Sequence, residues 1–166
     1  MAGLEDLYRE IILDHYRNPR NRGDLPVPPA LRSEGFNPLC GDEVVVYLEL
    51  EEGRLSEVKI AGQGCSISQS SASMMSAAIK GRSVEEARAL IRAFKAMMSI
   101  HEHRLDGDGQ EVQEPVLPDP AVPLGDLEAL RGVVKFPVRI KCATLSWNTL
   151  SQGLDEAEAE QVDSVG

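Results

Sequence analysis

Cys40, Cys65 and Cys142 are the only cysteines among 166 residues, and they stand far apart along the chain. If they serve one centre, the fold must carry three distant segments to a single point. Their settings favour that reading. Cys40 begins Cys40-Gly41-Asp42, so a carboxylate follows two residues after a thiol. Cys65 closes Ala61-Gly62-Gln63-Gly64-Cys65 and precedes a run of small hydroxyl residues. Cys142 lies in Arg139-Ile140-Lys141-Cys142-Ala143-Thr144-Leu145. Three soft thiolates and the Asp42 carboxylate make a four-ligand set for a metal. Read singly, each cysteine is equally well a small buried hydrophobe. No CxxC pair is present, so spacing alone does not identify a zinc finger.

The local sequence around each cysteine suits a reactive or metal-bound thiolate. Cys65 is expected just before a helix, where unsatisfied N–H groups favour negative charge. Cys142 is likewise expected ahead of a helix, with Arg139 and Lys141 nearby to lower its pKa. Gly41 supplies a bend that turns Asp42 toward the same point. The histidines are weaker candidates. His15 falls on the apolar face of a helix and reads as a packed or partner-facing residue. His101 and His103 sit where a helix is expected to end. Met74, Met75, Met97 and Met98 read as core filler. The Ser68, Ser70, Ser71, Ser73 series lacks a His/Asp partner in sequence and reads as small residues for close helix packing.

Charge narrows the partners. Lys and Arg total 17 against 27 Asp and Glu, a formal net charge of −10. Nucleic-acid binding needs clustered positive charge, which this balance argues against. A protein partner with a basic docking surface suits it better. No segment approaches the roughly 20 apolar residues of a membrane span. Glu5, Asp6, Arg9 and Glu10 interrupt the first residues, so no signal-peptide core is read there. Three cysteines cannot all pair within one chain, and a reducing cytoplasm with free or metal-bound thiols is the expectation.

Periodicity predicts one α+β domain over residues 1–154. Leu4, Leu7, Tyr8, Ile11, Ile12, His15 and Tyr16 recur at helical spacing. Glu43–Leu50 and Leu55–Ala61 read as strands joined by a turn at Glu51-Glu52-Gly53-Arg54. A third strand is needed for a stable sheet, and Phe36–Leu39 is the candidate. Helices are expected over Ser66–Ile79, stopped by Gly81, and again after a capping box at Ser83-Val84-Glu85-Glu86. The Pro/Gly-rich stretch 104–123 reads as an inserted loop. One or two helical turns follow at Asp126–Leu130, then a last helix from about Ala143 carrying Leu145, Leu150 and Leu154. The acidic stretch 155–166 is expected to fray as a flexible tail. The architecture is a small antiparallel three-stranded sheet with helices packed on one face.

Four stretches together resemble the U-type iron–sulfur assembly proteins. They are Leu7-Tyr8 with Ile12-Leu13-Asp14-His15-Tyr16-Arg17-Asn18-Pro19-Arg20-Asn21, then Asn37-Pro38-Leu39-Cys40-Gly41-Asp42, Gly62-Gln63-Gly64-Cys65-Ser66-Ile67-Ser68, and Lys141-Cys142-Ala143-Thr144-Leu145-Ser146-Trp147. The likeness runs from Leu4 to Leu154. It is closer to the SufU-like branch than to the IscU-like one, which has a histidine where this chain has Lys141. The IscU-like Leu-Pro-Pro-Val-Lys chaperone motif is replaced by Val133-Val134-Lys135-Phe136-Pro137-Val138, and 104–123 matches an extra SufU-like stretch.

The resemblance implies a SufE/IscU-like fold and two related activities. One is acceptance of persulfide sulfur from a PLP-dependent cysteine desulfurase (SufS/IscS-like) by a zinc-bearing relay. The other is scaffolding of a nascent [2Fe–2S] cluster for transfer to apo iron–sulfur proteins. Both use Cys40, Asp42, Cys65 and Cys142, with Cys40 the first choice of sulfur acceptor and Cys142 the second. Zn2+ or the [2Fe–2S] cluster is the implied occupant. A purely structural zinc protein and a hydrolytic zinc enzyme are the competing readings; the latter lacks a recognisable general base near any cysteine.

Overall fold

The computed structural model describes residues 4–27, 30–38, 41–105 and 125–165. In chain order they form helix α1 (Leu4–Arg17), strands β1 (Leu31–Asn37), β2 (Asp42–Glu51) and β3 (Arg54–Gln63), and helices α2 (Ser66–Ile79) and α3 (Val84–Leu105). A 3₁₀ segment (Gly125–Lys135) and helix α4 (Pro137–Val165) complete the order.

The strands pair antiparallel in the order β1-β2-β3. Alternation in β2 decides which face is covered. Val44, Val46 and Leu48 are buried, while the residues between them are half-buried or exposed. Leu55, Val58 and Ile60 of β3 join them. Leu55 and Val58 are an odd number of residues apart, and a register irregularity at Glu49/Leu50 lets both reach the core. Helices α2 and α4 lie on the sheet and α3 packs outside them. The four methionines of α2 and α3, Met74, Met75, Met97 and Met98, fill that core. Phe94 of α3 stacks on Trp147 of α4 with ring centroids 4.5 Å apart.

Several expectations shift. The third strand is Leu31–Asn37, earlier than Phe36–Leu39, because its whole length pairs with β2 from Leu31↔Leu48 to Asn37↔Asp42. The last helix begins at Pro137 and not near Ala143. Proline suits a first helical position, where its missing N–H has no partner to lose. That helix also runs on to Val165, through the acidic stretch where fraying was expected; buried Leu154 and Ala157 and the pairing of Arg88 with Asp155 and Glu158 dock its later turns. Asp126–Leu130 lies within the longer 3₁₀ segment. Helix α3 extends through His101 and His103 to Leu105, and residues 106–123 of the expected loop lie outside the described residues.

The capping box forms as the sequence implies. The Glu86 N–H donates to Ser83 Oγ at 3.1 Å, and the Ser83 N–H donates to Glu86 Oε1 at 3.3 Å. Among the described residues no helix is long and apolar enough to cross a membrane.

Candidate metal centre

The start of β2, the start of α2 and the second turn of α4 meet at one point. Asp42, Cys65 and Cys142 lie there with their ligand atoms all within 4.8 Å of one another. Each arrives by a different local device. Asp42 opens β2, paired across the sheet with Asn37, and is fully buried. Cys65 is the N-cap of α2, in extended backbone conformation, and its Sγ accepts from the Ser68 N–H at 3.5 Å. Cys142 sits inside α4, fully buried. This corrects its expected place ahead of a helix, since α4 starts at Pro137.

The carboxylate is held from both sides. Asp42 Oδ1 accepts from the Cys65 N–H at 2.9 Å, and Asp42 Oδ2 accepts from Asn37 Nδ2 at 3.4 Å. Asn37 Nδ2 also lies 3.8 Å from Cys142 Sγ. Asn37 is thus a clamp between two of the clustered residues. Its only sequence signal was its place in Asn37-Pro38-Leu39-Cys40-Gly41-Asp42, where no role was assigned to it. Gly64 makes the approach possible. A Cβ there would stand 2.5 Å from Asp42 Oδ1 and 2.6 Å from Ser68 Oγ.

Arg139 precedes Cys142 by three residues, so both project from one face of α4. Its guanidinium bonds the Cys142 thiol, and the charge of Cys65 adds to that hold; together they raise the Arg139 pKa above the ordinary arginine range. Lys141, the other cation in the motif, is exposed and turns about 100° away around the helix. Of the two charges near Cys142 in sequence, the fold brings Arg139 to the thiols.

Cys40 lies outside the described residues; its neighbours in the chain, Asn37 and Asp42, face each other across β1 and β2. His15 is buried away from the cysteines. Its Nδ1 meets Ser73 Oγ at 2.8 Å and its Nε2 meets Asp126 Oδ2 at 3.2 Å, which makes it a packed residue bridging α1, α2 and the 3₁₀ segment. The serines of α2 line that helix's contacts. Ser71 Oγ donates to the Ala143 carbonyl at 2.6 Å, and Trp147 Nε1 donates to Ser71 Oγ at 3.1 Å.

The donor set fits a thiophilic divalent cation. Two thiols and a carboxylate, two of the three fully buried, converge with one guanidinium as the positive group beside them. Burying several potential anions together is costly unless a cation joins them. Sulfur donors select zinc or iron over magnesium or calcium.

Residues 7–143 match the model of the NifU-like N-terminal domain. A zinc-dependent sulfurtransferase SufU of Bacillus subtilis (strain 168) is 43% identical over 157 residues, covering 95% of this chain and 95% of that protein. An iron–sulfur cluster assembly scaffold protein IscU of Streptococcus pyogenes serotype M1 is 36% identical, covering 97% and 91%. Among solved structures, a candidate iron–sulfur cluster assembly scaffold for the SUF system from Fervidobacterium islandicum AW-1 superposes with a TM-score of 0.70 at 31% identity. That match covers 92% of this chain and 99% of the other.

Proposed function

The chain belongs to the NifU-like N-terminal domain family, and from that premise we propose that it works in iron–sulfur cluster assembly as an acceptor of persulfide sulfur. Its donor would be a PLP-dependent cysteine desulfurase and its recipients apo iron–sulfur proteins. The convergence of Asp42, Cys65 and Cys142 within 4.8 Å, with Arg139 against the thiols, carries this reading. Cys40 is the proposed fourth ligand, and zinc the proposed resident metal. Zinc bound by these four residues would keep the thiols deprotonated at neutral pH.

The chain's own residues then divide the work. Asp42, fixed by the Cys65 N–H and by Asn37, sets the position of the carboxylate without help from solvent. Arg139 offsets the negative charge of a thiolate or persulfide at the centre. Cys142 is fully buried, which counts against its taking sulfur from an outside donor. Cys40, which precedes Gly41, is the acceptor we propose. Its thiolate attacks the outer sulfur of the desulfurase persulfide, the S–S bond breaks, and the desulfurase cysteine leaves as a thiolate. One persulfide is lost and one is formed, with no net oxidation.

Sulfur-35 transfer to single Cys→Ser variants tests this. Wild type should take label and Cys40→Ser should lose it. Full labelling of Cys40→Ser would remove the acceptor assignment, and an unlabelled wild type would remove the sulfur-acceptor reading itself. The second reading, a scaffold carrying a [2Fe–2S] cluster as cargo, is favoured by the 36% identity to the Streptococcus scaffold protein. Anaerobic purification followed by an absorption spectrum and elemental analysis separates the two. A colourless zinc protein supports sulfur acceptance; a reddish protein with iron and sulfide supports scaffolding.

A further inference from the structure

A groove of about 710 Å³ runs between α1, the start of α2, the 3₁₀ segment and the first turn of α4. Ile12, Ile67, Val133 and Phe136 give it an apolar wall, and Phe136 is 62% exposed. The groove opens beside the thiols. Ser66, which follows Cys65, lines it, and so does Arg139, which bonds Cys142. Among the described residues its charged lining is Arg9 and Arg139 alone. Both are cations, on a chain whose net charge is −10. Among the described residues Arg9 makes no ion pair; those formed by the other arginines involve Arg20, Arg32, Arg54, Arg82, Arg88 and Arg131.

An apolar trough with basic residues at its edge suits one kind of visitor. An apolar side chain would leave water against Phe136 and Ile67, and carboxylates beside it would face Arg9 and Arg139. We propose that this groove seats the sulfur donor, through an apolar side chain that the desulfurase presents on an acidic segment. The proposal rests on the sulfur-acceptor reading and adds its docking site. Because Arg139 belongs to both the groove and the thiol cluster, a donor held there has its persulfide next to the centre. The basic edge also reverses the expectation drawn from composition. The chain as a whole is acidic, yet the surface next to its chemistry asks for an acidic partner segment.

Calorimetry of the host cysteine desulfurase binding to the full-length, zinc-loaded chain tests this directly. The variants are Arg9→Glu and Phe136→Asp, both at exposed positions, with Arg17→Glu as a control that does not line the groove. Zinc content and circular dichroism confirm that each variant is loaded and folded. The two groove variants should weaken Kd about tenfold or more, with Arg17→Glu unchanged. Added salt should weaken wild type more than Arg9→Glu. Unchanged Kd in both groove variants overturns the proposal. A concentration-dependent homodimer that Arg9→Glu abolishes overturns it too, since the occupant would then be a second copy. Binding is read without sulfur transfer. A chain that binds through the groove yet takes no label sinks the sulfur-acceptor reading and leaves the groove standing, whereas labelling with undiminished binding by both variants sinks the groove alone.

Discussion

Two regions of this molecule bury polar side chains, and they do so to different ends. In the seam where α1, the segment after it and the 3₁₀ segment meet α2, the groups answer one another. Ser73 Oγ meets His15 Nδ1 and accepts from the Arg20 N–H, both at 2.8 Å. Asn21 Nδ2 donates to Ser76 Oγ at 3.2 Å, and Ser76 Oγ lies 3.2 Å from the Arg20 carbonyl. At the candidate metal centre the polar groups have partners, Asp42 accepting from the Cys65 N–H and from Asn37, but they also converge. Two thiols and a carboxylate point at a common space, and Ser146, one helical turn beyond Cys142, is buried with its hydroxyl unpartnered among the described residues. Buried polar groups that satisfy each other hold elements together. Thiols and a carboxylate gathered at one point, each a potential anion, suit a cation from outside the chain. The contrast separates structural burial from functional burial without reference to sequence likeness.

Metal loading should break the symmetry between the two regions most strongly. At free zinc about a thousand times Kd, wild type should gain about 4 kcal/mol of unfolding free energy over the chelated protein. Cys142→Ser should lose nearly all of that gain while leaving the chelated protein within about 1 kcal/mol of wild type. Denaturant melts with and without chelator check both. His15→Leu should do the reverse. It takes from Ser73 one of its partners, leaving the Arg20 N–H, and removes the tie to the 3₁₀ segment, costing about 1–3 kcal/mol with or without zinc, and zinc stoichiometry by elemental analysis should stay at the wild-type value. If His15→Leu also lost metal, the two regions would not be independent.

Ser71→Ala probes the boundary between the regions, because Ser71 binds the carbonyl of Ala143, the residue after Cys142. It should cost about 1–2 kcal/mol, as the Trp147 N–H and that carbonyl lose a partner. A fall in zinc affinity larger than this would show that the seam also positions Cys142. The smallest effect belongs to an exposed local device. Bonds from the Ser83 backbone and then from Arg82 hold the Glu86 carboxyl below the ordinary carboxylate range. A depressed pKa stabilises the fold above that range, and the contribution is lost as pH falls through the lowered value. Glu86→Gln should therefore narrow the gap in melting temperature between pH 7 and pH 3 slightly, and leave zinc binding untouched.

Much of the fold was legible from local pattern. The period-2 run Val44, Val46, Leu48 announced β2, Ser83 and Glu86 announced the start of α3, and the helical spacing of Ile67, Ser71, Met74, Met75, Ala78 and Ile79, stopped by Gly81, announced α2. These signals are short in range, and tertiary contacts had no cause to override them. Helix α4 starts ahead of the expected Ala143, at Pro137, which suits a first helical position. The first strand was placed late because Leu31-Arg32-Ser33-Glu34-Gly35 has little strand character of its own. It is a strand through pairing with β2 and the bond from Ser33 Oγ to the Thr149 carbonyl at 3.0 Å.

Pattern and motif order pointed on their own to an α+β fold with thiols in three distinctive local sequences. Residue types and their spacing act locally, and local chemistry is written in the chain. What only the tertiary structure decided is which groups meet. It chose Arg139 over Lys141 beside the thiols, set Asn37 between Asp42 and Cys142, sealed Cys142 while leaving Cys65 half-open, and cut a basic-edged groove into an acidic molecule. Those outcomes depend on helix rotation and on the packing of α4 against the sheet. Both are fixed by contacts between residues about a hundred positions apart, such as Asn37 and Cys142 with a separation of 105, which no local pattern encodes.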